Sequence, residues 1–146
     1  MLKKIVIILI CLVGRIEAEN IRADVQSVTA SGTSGAYTFA VKLESVETGC
    51  AQYADWWEVL SEKGALVYRR VLVHSHPDTQ PFTRSGGVVT IDANDVVYIR
   101  AHMNILGYVG DVFKGTVSMG FKKVTKALTF PKDIEKQSPL PQGCLF

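Results

Sequence analysis

The chain has 146 residues, 47% of them apolar and 21% charged, with a formal net charge of +2. That length fits one domain able to bury a core without metal or several disulfides. The excess basicity lies in the first eighteen residues: without Lys3, Lys4, Arg15 and Glu17, 16 basic and 14 acidic residues become 13 and 13. A neutral domain with interspersed charges excludes nucleic acid and an anionic membrane surface as partners.

Met1-Leu2-Lys3-Lys4 is a short basic segment, Ile5 to Val13 an apolar run, and Arg15-Ile16-Glu17-Ala18 a candidate cleavage region. This pattern predicts a secretory signal peptide over residues 1–18, because the apolar run is short for a membrane span. Ile16 is large for the position where cleavage wants a small residue, so an uncleaved anchor is the alternative. Ile10 before Cys11 argues against lipid attachment at that cysteine. The expected location is secreted or periplasmic, with no membrane contact after cleavage. Two cysteines then remain, Cys50 and Cys144. An even count in an oxidising compartment predicts one disulfide between them.

The rest of the chain alternates apolar and polar residues between Gly, Asn and Asp turns, and no stretch sustains a helical period. Ile21 to Ala30 reads as a first strand whose alternation breaks near Gln26-Ser27, a bulge or a change of sheet. Tyr37, Phe39, Val41 and Leu43 share one face of the clearest strand, with Thr38, Lys42 and Glu44 on the wet face. Asp55 to Leu60 carries Trp56 and Trp57 on opposite faces, one in the core and one on the surface. Ser61-Glu62-Lys63-Gly64 is a hairpin connection into a long central strand, Ala65 to Pro77. Asp78 to Gly87 reads as a polar loop and Val88 to Ile91 as a short strand. In Val96 to Met103, Val97, Ile99, Ala101 and Met103 form the core face, and Tyr98, Arg100 and His102 the other. A last strand from Val112 to about Thr125 is expected to bury Phe113, Val117, Met119 and Phe121. The segment 129–146, with Pro131, Pro139 and Pro141, reads as an extended, poorly packed tail after a domain over 19–128.

Seven or so short strands with regular turns describe an all-β antiparallel sandwich. Ala23-Asp24-Val25, Tyr37-Thr38-Phe39-Ala40-Val41 and Val97-Tyr98-Ile99-Arg100-Ala101 resemble strands of immunoglobulin-like or fibronectin type III-like domains. The antibody-type Cys–Trp–Cys spacing is absent. Gly49-Cys50, Ala54-Asp55-Trp56-Trp57-Glu58-Val59, Gln80-Pro81-Phe82-Thr83-Arg84-Ser85 and Arg100-Ala101-His102-Met103 are similar to small secreted bacterial proteins of unassigned function. That resemblance implies no activity and no cofactor.

His74 and His76 share one side of the central strand, and His102 lies on the outward face of its own. If they converge, three imidazoles suit Zn²⁺ or Cu²⁺, with Asp78 and Met103 as further candidate ligands. The alternative is ordinary polar histidines bonded to Ser75 or nearby backbone, and it is preferred. Arg69 and Arg70 must face opposite sides, one solvated and the other paired with a carboxylate, Glu58 across the hairpin being the candidate. Trp56, Phe82 and Tyr108, with Tyr53 and Trp57, lie in or beside loops where a sandwich binds partners, here a protein or a carbohydrate. Ser75 cannot bond to either neighbouring histidine, since adjacent strand residues face opposite sides. No carboxylate pair, nucleotide motif or cofactor motif accompanies them. The expected function is therefore a secreted binding or structural module that is not an enzyme, with a copper- or zinc-binding protein as the alternative.

Overall fold

The computed structural model describes residues 20–126 and 128–146, so the signal-peptide reading lies outside the described residues. Eight strands form two antiparallel sheets packed as a sandwich. The small sheet runs β1 (Ala23–Thr33), β2 (Ala36–Ser45) and β5 (Phe82–Val89) in the order β1-β2-β5. The large sheet contains β3 (Ala54–Ser61), β4 (Leu66–Val71), β6 (Val97–Met103), β7 (Phe113–Thr116) and β8 (Gly120–Lys123) in the order β4-β3-β6-β7-β8.

The core is the alternation made physical. Phe39, Val41 and Leu43 of β2 are fully buried against Trp57, Val59, Ile99 and Met103 of the large sheet. The break expected near Gln26 is a register shift of β1 on β2 between Val25 and Ser27. The hairpin from β3 to β4 turns at Gly64, whose φ of +82° suits glycine.

Four expectations are corrected. The polar stretch before Gly87 is not all loop: Phe82 to Val89 form β5, whose backbone pairs with β2. The central strand is shorter than expected and leaves the sheet after Val71. The final strand is two, β7 and β8, so Met119 falls in the turn between them and is 84% exposed. The tail is packed: Lys132–Lys136 form a 3-10 helix whose Ile134 is buried. Cys50 and Cys144 are bonded, as expected, and Leu145 N–H donates to the Val73 carbonyl at 2.7 Å. The tail is thus tied down at both its middle and its end.

Candidate functional site

The outward face of the large sheet carries a buried polar layer that strand register alone assembles. Glu58 on β3 stands between Arg69 on β4 and Arg100 on β6, both its direct cross-strand partners. One rung away, Trp56 lies beside His102. The 3-10 helix, Tyr108 and Phe130 cover this face.

Glu58 is fully buried and uses both oxygens. Oε2 accepts from Arg69 Nη2 at 2.6 Å and Nε at 2.8 Å, while Oε1 accepts from Arg100 Nε at 2.8 Å. Arg69, expected to pair with Glu58, also donates to the carbonyls of Ile134, Gln137 and Pro139. Its guanidinium lies 4.4 Å from the Trp56 ring centre. Arg100 packs 3.4 Å from the ring centre of Tyr108 and 4.6 Å from that of Phe130. Tyr108 is pushed up to about 12, by burial first and by the charge of Glu58 second.

His102 is committed in the same way. Nδ1 is 2.6 Å from Asp55 Oδ1, Nε2 is 2.9 Å from Glu135 Oε1, and the ring stacks 3.5 Å from Trp56. His102 lies on the outward face of β6, as strand parity predicts, but that face is not exposed: His102 is 4% accessible. The tail that covers it lies more than 30 residues away in sequence, beyond the reach of any local pattern.

His74 and His76 form a separate cluster, their ring centres 4.5 Å apart, with Phe82 and Phe146 stacked against them. His76 Nε2 is 2.6 Å from Arg84 Nη2. A guanidinium only donates, so Nε2 is the acceptor and the proton sits on Nδ1. Burial first, then Arg84, then His74, pull His76 down to about 4. Nε2 is thereby closed to a metal, and His102 has other partners. Among the described residues no three His, Cys, Asp or Glu side chains are grouped to hold a metal ion. The structure thus does not group His74, His76 and His102 as the three-histidine copper or zinc reading expected.

The aromatic candidates are corrected in part. Trp56 and Phe82 are buried and serve packing, and both tryptophans, not one, are covered. Tyr108 alone of the three lines an open cleft. That cleft has a volume of about 330 Å³ and lies between Arg100, residues 110–112, residues 124–126, Leu128 and Phe130. Gly110 allows the loop to pass β1: a Cβ there would stand 2.1 Å from the Ala23 carbonyl oxygen. Sequence reasoning missed Arg100 as a site residue. Its signal was a charge in the middle of an otherwise β-forming run, opposite Glu58.

No family model matches the chain, and no solved structure matches it. It is similar to a protein of Halomicrobium mukohataei named "Putative lipoprotein", 38% identical over 89 residues. The match covers 60% of this chain and 44% of that protein, so the chain spans less than half the length of that relative. Among the described residues no helix is long and apolar enough to cross a membrane.

Proposed function

We propose that this chain is an extracytoplasmic binding module, an immunoglobulin- or fibronectin III-like sandwich that holds a ligand and does no chemistry on it. The observation that carries this reading is the contrast between the polar layer and the cleft beside it. Glu58 has both oxygens in arginine contacts, and His102 has both nitrogens on carboxylates. A general acid, base or nucleophile needs a free position toward substrate, and these groups have none. The cleft is open and lined by Tyr108, Phe130 and aliphatic side chains together with Arg100, Asp111 and Lys126, a mixture that suits recognition.

The Cys50–Cys144 disulfide, of a kind that persists in oxidising compartments, and the signal-like first eighteen residues support the extracytoplasmic location. The relative's name agrees with a cell-envelope setting. A thermal-shift screen of small organic acids, amines, neutral metabolites and soluble glycans tests the reading. At least one class should raise Tm in a dose-dependent way without being consumed. Turnover of a screened compound, or no shift from any class, would contradict it.

A further inference from the structure

The chemistry of the cleft narrows the ligand class, an inference that rests on the binding-module reading. Arg100 is 6% exposed, and its buried Nη2 has no hydrogen-bond partner among the described residues. A buried donor without a partner is costly and uncommon in folded proteins. The one carboxylate of Glu58 serves two guanidinium groups, Arg69 and Arg100, so this buried trio carries one surplus positive charge. With the Tyr108 ring against its face and Nη2 sealed from solvent, what Arg100 presents to the cleft it lines is chiefly its uncompensated positive charge, which favours an anion.

The rest of the lining agrees. Exposed Lys126 adds a second cation at the rim, and Asp111 on the wall is tied to Lys123, which offsets its charge. Val112, Val124 and Leu128 supply apolar wall. A volume of about 330 Å³ is at the small end of ligand sites. A phosphate would want several converging backbone N–H groups, whereas this site offers the charge of one arginine, one lysine and an apolar body.

We propose that this cleft binds a small organic carboxylate with a short apolar body, its carboxylate set against Arg100 and Lys126. The test is calorimetry together with methyl NMR of Val112, Val124 and Leu128, using sodium hexanoate as probe and 1-hexanol and inorganic phosphate as comparators. Hexanoate should bind saturably at one site and shift those methyls, with hexanol and phosphate at least about tenfold weaker. Lys126→Glu, at an exposed position, should weaken hexanoate by about five- to tenfold while leaving Tm unchanged. Arg100→Gln should abolish binding; should that variant fail to fold, Lys126→Glu decides. Equal binding of hexanol and hexanoate, or unchanged binding by Lys126→Glu, would overturn the assignment. Absence of hexanoate binding beside a screening hit mapped elsewhere would overturn the carboxylate class while sparing the binding-module reading.

Discussion

Arg69 and Arg100 grip the same buried carboxylate from opposite sides, Arg69 through Glu58 Oε2 and Arg100 through Oε1. Neither arginine has another carboxylate within ion-pairing distance among the described residues. Removing the shared acid therefore strands two cations beneath the tail. Glu58→Ala should cost about 3–5 kcal/mol, the usual range for breaking a buried pair. Urea unfolding measures it, and a loss under about 1 kcal/mol would mean that the layer relaxes into water.

Phe39 is fully buried at the centre of the small sheet's inner face and packs 5.5 Å from the ring of Phe121. Phe39→Ala should lose about 3–5 kcal/mol, from transfer of the ring and the cavity left behind. The same denaturation experiment checks it. A loss below about 1 kcal/mol would place the core elsewhere.

The Cys50–Cys144 bond spans 94 residues. Loop-closure entropy over that span corresponds to about 4–5 kcal/mol, as an upper figure. Cys144→Ser should lower stability toward that amount. It should also loosen the segment whose Ile134, Gln137 and Pro139 carbonyls hold Arg69 over Trp56. A red shift in tryptophan emission is expected, and an unchanged spectrum would show that the tail stays seated without its pin.

His76 is neutral in the folded chain, with a folded value of about 4 against an ordinary 6.5. Between those values the unfolded chain takes up a proton that the folded one declines. The associated stability is therefore complete above about pH 6.5, is lost as pH falls through the window, and levels off below about 4. The groups around the ring are Arg84, Glu47 and His74. The expected loss is on the order of 2–3 kcal/mol across the window. Comparing the pH dependence of unfolding in wild type and His76→Gln isolates it: the variant should show a flatter slope from pH 6.5 to 4.

Much of the sandwich is legible locally. The alternation in Tyr37 to Leu43 gives β2 and its buried face directly, and the broken alternation at Gln26-Ser27 gives the bulge. The Glu58–Arg69 pair follows from hairpin register. What escaped is whatever depends on distant chain. Thr83 to Gly87 has loop-like composition, and only backbone pairing with β2 makes it a strand. Alternation carried past Val117 promised a buried Met119, but the chain turns there. The outward face of β3 and β6 looks wet by parity, and it is dry because Tyr108 and the segment around Ile134 lie on it. Tyr108 also lines the cleft, facing Phe130 and residues 124–126 from far along the chain, so the candidate site could not be seen before those segments were placed.

On the proposed reading, this sandwich binds its ligand in the cleft beside Arg100. Thr125 is exposed and lines that cleft, so Thr125→Trp should fill its mouth while sparing the core. The most direct measurement is backbone-amide NMR of wild type and Thr125→Trp titrated with the compounds that raise Tm. Wild-type shifts should concentrate at Arg100, Tyr108 to Val112 and Val124 to Lys126, and should be lost in a variant of unchanged Tm. Shifts centred elsewhere, or identical titrations of the two proteins, would contradict that reading.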